Sequence, residues 1–302
     1  MSVIFGPIIS RRFGKSLGVD LSPNIKQCNF DCLYCELKPQ KRVQNFSDIL
    51  PVEEILSQIK EALKEYRDID VLTFTANGEP TLYPHLEELI DEVNKIKGNI
   101  KTLILSNSST INQKSTQKAL KKFDTVKLSF DCFSKECFKR LDRAVGVDIE
   151  EIKDGIREFA KEFRGELVVE VLVVKGINDK PKEISQIASF LAQIKPSRVD
   201  LGSIDRPPAY DVDGVGYEEL LKLSLLFPKE INLNITTKNQ TSTKKFHFSK
   251  SQILETLKRR PLTKSDIEAL FDEESKETLK ELLRESLIEE IQRGDELFFT
   301  LK

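Results

Sequence analysis

Residues 28–35 read Cys28-Asn29-Phe30-Asp31-Cys32-Leu33-Tyr34-Cys35, three thiols in eight positions directly after a strand-like run at 17–22. Ser22-Pro23-Asn24 lies between the two and favours a loop. The thiols are therefore expected on a loop at the carboxyl end of a strand. Working outward, five more runs of strand character follow, at 71–76, 102–107, 125–131, 167–174 and 197–204. Helical period separates them: apolar residues at Val52, Ile55, Ile59 and Leu63, then Leu86, Ile90 and Val93, with further helices fitting 113–122, 149–163, 181–194 and 217–226. Six βα units in series predict an α/β fold. Parallel strands joined by right-handed crossovers open into a doubly wound sheet or curl, and functional-looking loops after the strands favour a partial (βα)6 TIM-like barrel, whose chemistry gathers at the carboxyl ends of its strands.

The 302 residues carry 47 Lys plus Arg against 49 Asp plus Glu. That near balance gives no global reason to bind a polyanion, and 39% apolar with 32% charged residues excludes a disordered or fibrous chain. No apolar run reaches the roughly 20 residues that span a bilayer, and the opening MSVIFGPIISRRFG is too short and polar for a signal peptide. A cytoplasmic protein without membrane contact is expected. Locally, the first 45 residues hold seven basic and three acidic side chains, an excess that could draw an anionic substrate or a polynucleotide.

The polar stretch 237–245 reads as a linker between a domain over 1–237 and a second over 246–302. The second shows three short helical patterns and two strand-like runs around Arg293-Gly294-Asp295, the order of a winged helix. It carries 10 basic and 13 acidic residues, and 275–288 holds three of each sign, so DNA binding is not expected of it. A metal-bearing winged-helix regulator is the alternative from a different class.

Five cysteines in a large chain, three of them clustered, make a poor disulfide framework and point to metal. Three thiolates can hold three irons of a four-iron cluster and leave the fourth open. Zinc would need a fourth ligand, which folding would have to bring from His85, Cys132 or Cys137. Cys132 and Cys137 are otherwise read as buried thiols, with a redox or auxiliary-ligand role open. Asn77-Gly78-Glu79-Pro80 follows the second strand, where glycine lets backbone approach a ligand closely. Asn107, Ser129 and Asp131 end the third and fourth strands and could hydrogen-bond a cofactor or merely cap helices. Asp205 and Arg206, stiffened by Pro207-Pro208, follow the last strand of the series and could contact substrate.

The spacing Cys-x3-Cys-x2-Cys, with an aromatic residue before the last thiol, resembles the signature of the radical S-adenosylmethionine superfamily. The resemblance implies that Cys28, Cys32 and Cys35 hold a [4Fe-4S] cluster, whose open iron binds S-adenosyl-L-methionine and splits it by one electron into methionine and a 5'-deoxyadenosyl radical. It implies cofactor-contacting roles for Tyr34 at the adenine, for Gly78, Glu79 and Pro80 at the methionine group, and for Asn107, Ser129 and Asp131 around the remainder. It also implies a flavodoxin- or ferredoxin-type electron donor. SRRFGKSLGVDLSP, NGEPTL, LILSNSST, VVKGIND and DRPPA occur in the order of the iron-sulfur oxidoreductases related to wybutosine-synthesis enzymes, over roughly 3–210. The additional cysteines of those enzymes are missing here. An RNA base is therefore one expected substrate, and a protein or small metabolite the other.

Overall fold

The computed structural model describes residues 2–10, 13–235, 245, 247–259, 261–293 and 296–302. Its main body is one eight-stranded sheet with the strands in chain order: β1 (Ile4–Ser10), β2 (Gly14–Asp20), β3 (Val71–Thr75), β4 (Lys101–Ser106), β5 (Thr125–Ser129), β6 (Glu166–Val173), β7 (Arg198–Ser203) and β8 (Leu233–Ile235). β2 to β8 run parallel and β1 lies antiparallel to β2. The middle strands are almost continuously apolar. Leu72, Phe74, Ile104, Val126, Leu128, Val169, Val171, Val199 and Leu201 are all fully buried, as expected where crossover helices cover a parallel sheet.

Those helices bury one stripe each. α1 (Val52–Glu65) turns Val52, Ile55, Ile59 and Ala62 inward, and α2 (Leu86–Ile96) does so with Leu86, Leu89, Ile90 and Val93. α3 (Lys114–Leu120), α4 (Lys135–Leu141), α5 (Ile149–Glu162), α6 (Pro181–Ile194) and α7 (Tyr217–Ser224) follow. α5 starts at a reciprocal cap, in which the Asp148 carboxylate accepts from the first turn while Glu151 accepts from the Asp148 N–H.

All six strands expected from the sequence form, as β2 to β7, and two more join them. β1 was hidden by Gly6-Pro7, since proline cannot donate to a ladder. The structure tolerates it because β1 is an edge strand whose register with β2 is interrupted between Phe5 and Ile8. β8 is only three residues long. α4 also escaped notice, because its two turns offer only Cys137, Phe138 and Leu141 as buried positions.

After the sheet come α8 (Lys250–Arg259), β9 (Leu262–Thr263), α9 (Lys264–Leu270), α10 (Glu273–Arg284), β10 (Ile288–Arg293) and β11 (Glu296–Leu301). The three strands form a separate antiparallel sheet in the order β10-β11-β9. A second apolar core built on Phe248, Ile253, Leu257, Leu262, Phe271 and Leu282 holds this unit together, with Phe248 and Phe271 stacked at 4.6 Å. Lys245 and Arg293 aside, the expected linker and the Arg293-Gly294-Asp295 turn fall outside the described residues. The unit touches the main body through Gln252, whose amide donates to the Tyr66 hydroxyl at 2.7 Å, and Lys258, which donates to the Pro23 carbonyl at 3.2 Å. No helix among the described residues is long and apolar enough to cross a membrane.

Because the two cores are separate, Leu282→Ala should cost the carboxyl-terminal unit about 2–5 kcal/mol. Hydrogen exchange should then accelerate over 248–301 while amides of β3 to β6 keep their protection.

Candidate functional site

In a parallel sheet every strand delivers its following loop to the same edge, and that edge collects the singled-out residues. Asp20, the last residue of β2, accepts from the N–H groups of Ser22 and Asn77, tying together the loops after β2 and β3. Gln27 then pairs with Gly78 as a short parallel bridge: its N–H donates to Asn77 O at 2.8 Å and its carbonyl accepts from Glu79 N at 2.9 Å. Gly78 has φ +135°, and a Cβ there would lie 1.9 Å from the Gln27 carbonyl oxygen. Gly78 therefore approaches the protein's own backbone closely, one residue before Cys28.

Glu79 is fully buried and committed internally. One carboxylate oxygen accepts from Thr81 N, Thr81 Oγ1 and Ser106 Oγ at 2.6–3.0 Å, and the other from Asn107 N at 2.7 Å. Burial pushes this carboxyl up against those four donors. Pro80 opens a short 3-10 turn over Pro80–Leu82. The Glu79 side chain therefore acts on the site through Asn107, whose amide donates to Cys28 Sγ at 3.6 Å and to Asn29 Oδ1 at 3.2 Å.

Tyr34 and Asp131 meet directly: the phenol donates to Asp131 Oδ2 at 2.6 Å, while Asp131 Oδ1 accepts from Leu172 N at 2.7 Å. Tyr34, Asn107, Ser129 and Asp131 line one small cavity with Phe30, Phe138 and Asp142. Asn178, from the VVKGIND stretch, is fully buried and donates to the carbonyls of Asp131 and Leu172, fixing the ends of β5 and β6. Arg206 pairs with Glu36 at 3.4 Å, and Ala209 N donates to Cys35 O at 2.8 Å, so the loop after β7 lies against the cysteine loop.

Several contributors carried no signal beyond nearness to the cysteines. The backbone of Asp31 and Leu33 donates to Asp142 O and Leu141 O at the end of α4. Arg143, at φ +50°, ion-pairs with Asp31, and its guanidinium lies 4.2 Å from the centre of the Tyr210 ring. The Tyr210 hydroxyl donates to Asp31 at 2.8 Å. Gln27 accepts from Ser47 N and Asp48 N and donates to Ser22 Oγ and Asp48 O, closing the base of the loop.

All three thiols are held protonated by their surroundings. Burial, then the charge of Glu79, raises Cys28 to about 12. Burial, then Asp142, raises Cys32 strongly. Burial raises Cys35 against the opposing charge of Lys26. Thiolates persist here only with a compensating cation, such as a bound metal. The only trio of Cys, His, Asp or Glu ligand atoms within 4.8 Å of one another, among the described residues, is Cys132, Cys137 and Glu183. At least one sulfur pair among Cys28, Cys32 and Cys35 therefore lies beyond 4.8 Å, wider than the about 3.8 Å that one tetrahedral zinc imposes. The residues expected to supply a fourth zinc ligand lie elsewhere. His85 lies beside Glu88 and Tyr83, and His247 beside Asp272. Cys132 and Cys137 are buried, as expected, but joined in a disulfide rather than free. Three separated thiols around a loop fit a polynuclear iron-sulfur group.

Parallel-strand loops that converge three thiols, a buried carboxylate network and a tyrosine–aspartate pair on one edge define a cofactor-dependent α/β protein. The chain belongs to the Radical SAM superfamily, whose defining pattern matches residues 25–190; its cofactors are a [4Fe-4S] cluster and S-adenosylmethionine. It is 43% identical over 288 residues to a "UPF0026 protein" of Helicobacter pylori, covering 95% of this chain and 93% of that one. A probable dual-specificity RNA methyltransferase RlmN of Thermotoga petrophila is 29% identical over 175 residues, 56% of this chain and 50% of that one. Among solved structures, Streptococcus suis SuiB bound to S-adenosylmethionine superposes with a TM-score of 0.55 at 20% identity, over 74% of this chain and 51% of that one. TYW1 with a lysine-pyruvate adduct superposes at 0.53 and 19%, over 70% and 72%. At those identities the superpositions show the shared fold.

Gly78→Ala should lower the melting temperature, at a cost of at least about 1–3 kcal/mol, because both the dihedral and the Gln27 contact forbid a side chain. Burial pushes the Asp131 carboxyl up to about 7. A carboxyl raised on folding stabilises the native state most below its unfolded value and loses that contribution as pH rises through the folded value. Denaturant midpoints of the metal-free protein should accordingly fall between about pH 4 and pH 7, and Asp131→Asn should flatten that slope.

Proposed function

We propose that this chain is a radical S-adenosylmethionine enzyme that modifies a base in RNA, tRNA being the favoured substrate, in the cytoplasm. The observation that carries it is the Cys28, Cys32, Cys35 set on one loop at the carboxyl edge of the sheet, with the Asn107 amide on Cys28 Sγ and Tyr34 of the same loop bonded to Asp131. The sheet is read as a partial (βα)6 barrel with an added edge strand, and the carboxyl-terminal unit as a winged helix. When bound, the cluster supplies the single electron that splits S-adenosylmethionine into methionine and a 5'-deoxyadenosyl radical, chemistry beyond any side chain.

The residues have separable tasks. Cys28, Cys32 and Cys35 hold the cluster. Asn107, oriented by Glu79, steadies Cys28 and presents its amide to the cavity. Tyr34 and Asp131 hold one another so that the ring forms a wall for the adenine, and Ser129 offers a hydroxyl on the same face. Gly78 and Pro80 shape the turn beside the methionine group. An electron donor of the flavodoxin or ferredoxin type delivers the electron.

RNA is favoured over a protein or metabolite by three exposed cations, Lys38, Lys41 and Arg42, on the stretch immediately after Cys35. The likeness to a relative named as an RNA methyltransferase supports the same substrate class. Against a DNA-reading regulator, Lys276 is paired with Glu268 and Glu273, and Lys280 with Glu277, so α10 offers few free cations to phosphates.

Anaerobic reconstitution should give about four irons per chain and reductant-dependent 5'-deoxyadenosine; Ala at any one of the three cysteines should abolish the product. One zinc and no iron would end this proposal. Removing Lys38, Lys41 and Arg42 together should weaken RNA binding and lower the slope of log affinity against log salt by about 2. A comparison of modified nucleosides from cells with and without the protein should reveal one missing base; an unchanged nucleoside set with an altered peptide would move the substrate to protein.

A further inference from the structure

Lys26 is only 8% exposed, yet its ammonium contacts no carboxylate among the described residues. Its three N–H donors go instead to Leu37 O at 3.3 Å, Lys38 O at 3.2 Å and Cys35 Sγ at 3.6 Å. An ammonium has three donors, so this tripod uses all of them and aims a full positive charge at one thiol of the triad. The other two thiols differ. Among the described residues, Cys28 Sγ accepts only from neutral donors, Phe30 N at 3.4 Å and Asn107 Nδ2 at 3.6 Å. Cys32 Sγ faces the Asp142 carboxyl at 3.7 Å.

We propose that Lys26 is a positioning residue that sets the reduction potential of the cluster through its charged N–H···S contact with Cys35. This rests on the function proposed above. Reduction adds one electron, from a one-electron carrier, to a group already made anionic by its thiolates. No bond forms or breaks at the lysine nitrogen. A fixed cation a few ångströms away, itself largely shielded from water, stabilises the more negative, reduced form more than the oxidised form. Lys26 thereby raises the potential and makes the cluster easier to charge. Because the same ammonium fastens the Leu37 and Lys38 carbonyls, the charge and the loop it acts on stay in register.

The test is a dithionite titration of the anaerobically reconstituted full chain, followed by electron paramagnetic resonance, with iron content measured alongside. Lys26→Met and Lys26→Gln, the second keeping an N–H donor without the charge, should hold as much iron as the unmodified protein and titrate at more negative potentials. Lys26→Arg should stay near the unmodified value. Equal potentials at equal iron content, or Arg displaced as far as Met, would overturn the proposal. Loss of iron in both neutral variants, with Arg retaining it, would also overturn it, by reducing Lys26 to a structural anchor. If the unmodified protein itself takes up no iron, the enzymatic function falls first.

Discussion

The two hydrogen bonds between Gln27 and the Asn77-Gly78-Glu79 turn place everything else at the carboxyl edge of the sheet. They form an isolated parallel bridge beyond the ends of β2 and β3, and it brings the residue before Cys28 against the turn that follows β3, whose register with β2 is set over Ser16–Asp20 and Val71–Thr75. A parallel ladder is rigid and its spacing is fixed. The first thiol thus inherits its position from the core, although it belongs to a loop of some thirty residues without regular structure. Glycine at 78 is the condition for this contact, because any Cβ would occupy the space of the Gln27 carbonyl.

From that junction the order spreads by side chains. Glu79 gathers donors from the loops after β3 and β4 and fixes Asn107, which turns back to Cys28. On the far side, Asn178 and Leu172 hold Asp131, and Asp131 holds Tyr34. A buried carboxylate with several donors is costly to disturb, since each donor left unpaired loses its full hydrogen bond. Glu79 and Asp131 serve the site by fixing neighbours, a role that the sequence shows only as conspicuous acids near strand ends.

The strands and most helices were legible because burial on both faces writes itself as apolar runs and three-to-four spacing, seen in Val71–Thr75 and Val52–Ala62. The cysteine spacing named the chemistry outright. Three kinds of feature were hidden. β1 contradicts a local rule, its Gly6-Pro7 being tolerated only at an edge. α4 is too short for its period to emerge. Lys26, Gln27, Asp142, Arg143 and Tyr210 act through contacts that span up to 179 positions, and no spacing along the chain announces such a pair. The close approach that glycine at 78 permits is made to the Gln27 backbone, a partner that a lone glycine in a sequence cannot name.

The five cysteines divide into two sets that the chain topology keeps apart. Cys132 and Cys137 are five positions from one another and roughly a hundred from the triad. Closing the longer loop costs about 2–3 kcal/mol more entropy than closing the short one. A nascent chain exposed to oxidant therefore finds the local partner far more often than it cross-links the two regions. Cross-linking between the two regions is thereby disfavoured before any tertiary structure exists, and Cys132 and Cys137 pair with each other.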